Sequence, residues 1–332
     1  MKKWMCCFAV CVFLLAGCSE STDLAEKEIL SQETDNQVEE AEEKIETTEK
    51  EEGETAGEKE GMESLEMEKE PKEPEIIDLE GEEFFEGLSG AAVLYNPDKN
   101  QFFIYNQELA QTRRSPCSTF KIVSSLAALE NGILEPEHST RKWNGEFFWN
   151  ENWNQDLDFG QAFQASCVWY FRELIDELGQ ERMQREVDRL SYGNCDISDW
   201  EGRGNTNNNN RALTGFWIEA SLMISPKEQA EVMERIFGKN TVYSEKTQKE
   251  LKKVMQVETE KETGISVYGK TGMGKAYGET VDAWFTGFAQ KEQESVFFCI
   301  YLGRSEGRDV TSTIAKEIAI RIVEEYDSAW GD

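Results

Sequence analysis

Histidine is almost missing from this chain: His138 is the only one in 332 residues. It sits in the polar loop Glu135-Pro136-Glu137-His138-Ser139, a poor place for a sheltered base. A Ser-His-Asp triad and an H-E-x-x-H zinc motif are both set aside by that one fact. Cysteine pairs at C-x-x-C spacing are also lacking. Cys117, Cys167, Cys195 and Cys299 stand far apart, so no metal site is expected and buried free thiols are, although spacing alone does not settle a disulfide. Basic residues are scarce: 35 Lys and Arg face 66 Asp and Glu, a net charge of −31. Phosphate backbones need a basic face, so nucleic acid is not an expected partner. No apolar run is long enough to span a bilayer; the longest candidate is Met5 to Leu15. No internal repeat is present.

What is there divides into three parts. Lys2 and Lys3 precede the apolar run, which ends in Leu15-Ala16-Gly17-Cys18. That end resembles the bacterial lipobox. The resemblance implies residues 1–18 as a lipoprotein signal, cleavage before Cys18, lipid on Cys18 and an extracytoplasmic protein anchored to the cell membrane. Residues 19–75 are acidic and of low complexity. From Glu20 to Glu75 there are 23 acidic residues, 6 lysines and no aromatic. Such a segment buries too little apolar surface to offset the entropy of ordering, so a disordered tether is expected. Residues 76–332 are rich in Trp, Phe and Tyr and long enough for one large domain.

Within that domain Ala91 to Tyr95 and Gln101 to Tyr105 read as a hairpin around Asn96-Pro97-Asp98-Lys99-Asn100. Ser118 to Glu130, Gln161 to Leu178, Glu181 to Leu190, Pro226 to Phe237, Ser244 to Val254 and Thr311 to Tyr326 have helical patterning. The Trp-rich stretch from Trp143 to Trp153 and the Asn-rich stretch from Asn205 to Arg211 read as loops. Ser266 to Lys270, Ala283 to Ala289 and Ser295 to Leu302 read as strands. Strands at both ends with helices between them predict an α/β fold whose terminal segments complete one antiparallel sheet beside a helical subdomain.

A serine nucleophile without histidine needs another base. Ser118-Thr119-Phe120-Lys121 offers one, since residues three apart share a helix face. A lysine sheltered by Phe120, Ile122 and Val123 loses its proton more readily, because burial penalises the charged form. Amides at the helix start would face a developing anion. The tetrad alone is weakly specific, but Ser166-Cys167-Val168, Tyr192-Gly193-Asn194, Phe216-Trp217-Ile218-Glu219 and Lys270-Thr271-Gly272 follow it in order.

This series resembles the penicillin-recognising serine enzymes, and within them the class D β-lactamases, over nearly all of Ala91 to Glu325. The resemblance implies β-lactam antibiotics as substrates, hydrolysis of the lactam amide and no cofactor beyond carbon dioxide or bicarbonate. It implies Ser118 as nucleophile and Lys121 as general base once carboxylated to N6-carboxylysine. Ser166 would relay a proton to the leaving nitrogen, Val168 would keep water from Lys121, and Trp217 would donate to the carbamate. Lys270 and Thr271, with Gly272, would bind the substrate carboxylate. The amides of Ser118 and Met273 would hold the oxyanion. Tyr192 and Asn194 would shape the site floor, although Tyr192-Gly193-Asn194 also reads as a plain turn. An arginine near the last helix is expected at the substrate carboxylate: Arg308, with Arg304 as the alternative. The Asn-rich stretch looks like an insertion. Sensor domains of transmembrane β-lactam receptors share these motifs, so a penicillin-binding lipoprotein that is acylated once without turnover is the rival. This chain has neither the zinc-protease motif nor the several spanning helices of those receptors.

Overall fold

The computed structural model describes residues 72–258, 263–276 and 278–330. The signal, Cys18 and most of the expected tether lie outside the described residues. Strands are β1 (Glu75–Asp78), β2 (Gly90–Asn96), β3 (Gln101–Tyr105), β4 (Gln256–Val257), β5 (Ile265–Ala276), β6 (Glu279–Lys291) and β7 (Glu294–Gly303). They form one sheet in the order β1-β3-β2-β7-β6-β5-β4. N-terminal β2 pairs antiparallel with C-terminal β7, Ala92 opposite Ile300, so the chain ends do complete a single sheet. The sheet is mixed: β1 runs parallel to β3, Ile76 opposite Phe102, where an all-antiparallel sheet was expected. A four-residue strand next to a charged segment carries almost no alternation to read. Three C-terminal strands were foreseen, but β5 and β6 extend well beyond the apolar stretches, because backbone pairing continues through Thr271, Gly272 and Gly274.

Helices are α1 (Glu82–Phe85), α2 (Gln107–Ala110), α3 (Lys121–Glu130), α4 (Phe159–Gln164), α5 (Val168–Leu178), α6 (Gln180–Arg189), α7 (Pro226–Phe237), α8 (Glu245–Met255) and α9 (Ser312–Glu325). They cover both sheet faces, which is why the central strands read as continuous apolar runs. Along β7, Phe298 and Ile300 pack with Ala315, Ile318 and Ile322 of α9, while Phe297 joins the helical core of Phe120, Leu126 and Phe171 on the other face. The period of two sends neighbouring phenylalanines to opposite layers.

Central α3 is buried from Lys121 to Ala128. Its two interior serines satisfy their hydroxyls on the backbone: Ser124 and Ser125 donate to the Lys121 carbonyl at 3.3 and 2.6 Å. Sequence capping signals act as expected in α7, where Ser225 and Glu228 form a capping box with Pro226 at the first turn. One expected helix is broken. Gln161 to Leu178 is two helices, α4 and α5, with Ser166 between them at a φ of +54°. The Cys167 amide folds back onto the Ala162 carbonyl at 2.9 Å. No glycine or proline announces this break.

Candidate active site

The nucleophile candidate sits on a tight turn. Cys117–Phe120 is a single 3₁₀ turn that runs directly into α3. Cys117 takes a left-handed φ of +49°, an unfavourable conformation for a side-chain-bearing residue that local bonds must hold. Its amide donates to the Trp217 carbonyl at 2.9 Å, and Ser115 Oγ donates to the same oxygen at 3.1 Å. Thr119 Oγ1 donates to the Pro116 carbonyl at 2.7 Å and accepts from Gln229 Nε2 of α7 at 2.8 Å.

This turn brings Ser118 Oγ within 2.8 Å of Lys121 Nζ. Lys121 is 1% exposed. Its ammonium faces the Phe171 ring at 5.4 Å, and Cys117 and Cys167 are close by. Burial pushes the amine down to about 8, so a minor uncharged fraction of Lys121 is on hand near neutral pH and grows to half at about pH 8. Both flanking thiols move the other way: burial raises Cys117, and lifts Cys167 to about 12, so both stay protonated. All four described cysteines are free.

The break between α4 and α5 delivers Ser166 to the same place. Lys270 of β5 reaches Ser166 Oγ at 3.0 Å, the Thr271 carbonyl at 2.9 Å and Thr271 Oγ1 at 3.2 Å. Burial, reinforced by the charge of Lys121, holds Lys270 well below its ordinary value. An anion entering beside it would reverse that shift. Gly272 explains how close β5 comes to the nucleophile: a Cβ there would lie 2.9 Å from the Pro116 carbonyl oxygen and from Thr119 Cγ2. Only glycine lets the strand press against the turn, and this sets Met273 beside Ser118.

Ser118, Ser166, Val168, Thr271, Gly272 and Met273 line one cleft of about 280 Å³. Trp149, Asn150, Trp153, Asn208, Leu213 and Ile218 line it too, as does Ser312 at the start of α9. Trp149 is 76% exposed and packs on Trp153, ring centroids 5.2 Å apart.

Other expected site residues lie elsewhere. Trp217 is fully buried, stacked on Phe120 with centroids 6.1 Å apart. Tyr192 meets Phe120 edge-on from below, and Asn194 grips Ser221 and Met223 through its side chain. A Cβ on Gly193 would stand 1.9 Å from the Met223 carbonyl oxygen. Tyr192, Gly193 and Asn194 are not among the residues lining the cleft; Tyr192 supports it through Phe120. Neither arginine reaches it: Arg308 donates to the Glu86 carbonyl, and Arg304 pairs with Glu279 at 2.6 Å. Arg308, expected at the substrate carboxylate, is not among the residues lining the cleft, whereas Ser312 is. Sequence reasoning missed Trp149 and Ser312, which carry no motif.

A serine with a buried lysine in place of histidine, a second serine and a lysine-bearing strand define an active-site-serine acyl-transfer protein. The chain belongs to the penicillin-binding transpeptidase family: the model of the penicillin binding protein transpeptidase domain matches residues 90–324. Probable beta-lactamase YbxI of Bacillus subtilis (strain 168) is 31% identical over 242 residues, 73% of this chain and 82% of that protein. Regulatory protein BlaR1 of Bacillus licheniformis is 30% identical over 71% of this chain, but only 36% of that longer protein is matched. The crystal structure of a class D β-lactamase from Bacillus subtilis superposes with a TM-score of 0.62 at 31% identity, covering 75% of this chain and 95% of the other. These similarities set the chain with the class D β-lactamases and the related sensor domains.

Proposed function

We propose that this protein is a class D β-lactamase that turns over penicillins through an acyl-enzyme on Ser118. The observation that carries the reading is the sheltered Lys121 amine 2.8 Å from Ser118 Oγ, held to about 8 by burial. Uncharged, that amine accepts the hydroxyl proton as Oγ bonds to the lactam carbonyl carbon. The carbonyl oxygen takes the negative charge, which the Ser118 and Met273 amides stabilise. As the C–N bond breaks, the nitrogen takes a proton through Ser166, which Lys270 keeps in place. Water then attacks the ester, and Ser118 is released.

Carbon dioxide adds only to an uncharged amine, so Lys121 suits carboxylation, and as a carbamate it would supply the general base in both halves of the reaction. Cys117, Cys167, Val168 and Phe171 are the neighbours that would keep such a group from water, with Trp217 behind Phe120. Substrate carboxylate would be met by Lys270, Thr271 and Ser312, without an arginine. Lipid on Cys18 and an extracytoplasmic membrane location complete the proposal, supported by the basic start, the short apolar run and Leu15-Ala16-Gly17-Cys18.

Similarity to BlaR1 favours a second reading, a sensor acylated once. Incubation with a chromogenic cephalosporin separates the two. Many equivalents of colour per protein are expected; one equivalent followed by silence selects the sensor.

A further inference from the structure

Both amides expected at the oxyanion trace back to one short segment, Trp217–Glu219. At its first residue, the Trp217 carbonyl receives the Cys117 amide and Ser115 Oγ, which fixes the turn presenting Ser118. At its last residue, Glu219 Oε1 accepts the Lys275 amide at 2.6 Å, two residues beyond Met273 on β5. Glu219's own amide donates to Ser115 Oγ at 2.8 Å, so the two ends are tied through one hydroxyl. The register of β5 against β6 shifts between Gly274 and Lys275, where sheet pairing alone holds the strand least firmly.

Asn207, from the Asn-rich stretch, finishes the link. Its Nδ2 donates to Glu219 Oε2 at 2.5 Å and to the Lys275 carbonyl at 2.8 Å. The Lys275 backbone is thus held at its N–H and at its C=O, in two successive peptide groups, by two side chains from outside the sheet. Glu219 itself has a left-handed φ of +53°, a conformation that glycine would adopt more easily. The chain keeps a strained glutamate where glycine would relax the backbone, which marks the carboxylate as the useful part.

We propose that Glu219, locked by Asn207, is a positioning residue that sets the distance between the Ser118 and Met273 amides. It touches no reacting atom. The inference rests on the acyl-transfer reading above and goes further by assigning the oxyanion geometry to a carboxylate and an Asn-rich loop. Misplacing a preorganised donor by an ångström can slow acylation by about a hundredfold.

The test compares Glu219→Gly with the unmutated full-length protein. Glycine suits the local backbone, so the variant should fold even if Glu219→Ala does not. Two quantities are read: the second-order acylation constant with a chromogenic cephalosporin, and the affinity for an arylboronic acid that becomes tetrahedral on Ser118. Glu219→Gly is expected to lower both by about 10- to 100-fold with the melting temperature kept or raised. Asn207→Ala should lower both by a smaller factor, and Glu219→Gln, which keeps an acceptor for the Lys275 amide, should lose less than Glu219→Gly. Acylation and boronate affinity both within twofold of the parent would overturn the proposal, as would a loss of acylation without a matching loss of boronate affinity. No acylation of the unmutated protein would instead sink the acyl-transfer reading itself.

Discussion

On the helical side of the cleft, Lys121 lies against Phe171 and two protonated thiols, with Ser118 as its hydrogen-bond partner. On the sheet side, Lys270 is equally hidden but faces three oxygens, from Ser166 and Thr271. One side chain serves two kinds of chemistry because its surroundings differ. Apolar neighbours leave the Lys121 lone pair free to take a proton, whereas the oxygens around Lys270, itself lowered by burial, aim its N–H groups at a relay hydroxyl and at an anion whose entry would restore its charge. The two amines also influence each other: burial lowers Lys270 most and positive charge on Lys121 adds to it, so proton loss or carboxylation at Lys121 should raise Lys270 part of the way back.

Breaking the helical side should have the largest effects. Ser118→Ala should remove acylation, a loss on the order of 10⁴-fold or more, checked by intact mass after exposure to benzylpenicillin. Lys121→Ala should slow acylation and deacylation by roughly 10³-fold, and added bicarbonate should not restore either. Rescue of that variant by bicarbonate would mean that carboxylation acts elsewhere. Breaking the contact between the two sides comes next. Gly272→Ala puts a methyl 2.9 Å from the Pro116 carbonyl oxygen and should push β5 off the nucleophile turn, for about a hundredfold loss in kcat/KM. On the sheet side, Lys270→Ala should raise KM for penicillins by about 10- to 100-fold, with a smaller change for an analogue esterified at the carboxylate.

The smallest effect is on pH dependence. Lys121 is lowered to about 8 in the fold against 10.5 for an ordinary lysine. Between those values the unfolded chain binds a proton that the native protein has already lost. Stability should therefore rise as pH climbs from about 8 towards 10.5, and Lys121→Met should flatten that rise in denaturant titrations. A wild-type profile no steeper than that of Lys121→Met would argue against the sheltered amine. Carbon-13 bicarbonate should also give a carbamate signal in the unmutated protein, fading as the pH falls and missing in Lys121→Met.

Much of the catalytic core could be read in the chain because it is local. Ser118 and Lys121 are three residues apart, and Lys270-Thr271-Gly272 is one strand, so spacing carries the geometry. The hairpin and most helices announce themselves by period, cap and turn. Other parts depend on contacts distant in sequence. Ser166 enters the cleft through a break that no proline or glycine marks. Arg308 reads as a partner for the substrate carboxylate from its position before α9, while in the fold its guanidinium donates to the Glu86 carbonyl. Tyr192 and Asn194 read as site residues from their motif, but only the fold shows that they act through Phe120 and the backbone of Ser221 and Met223. The asparagines after Asn205 read as a solvated loop, because nothing local shows that Asn207 meets the Lys275 carbonyl 68 residues on.

Lys121 as an uncharged neighbour of Ser118 is tested most directly by time-resolved intact mass spectrometry with excess benzylpenicillin. A single penicilloyl adduct on the Ser118 peptide should form and then vanish as the drug is consumed. A protein that never gains that mass, or gains it once and keeps it after the free drug is gone, contradicts a hydrolase built on this pair.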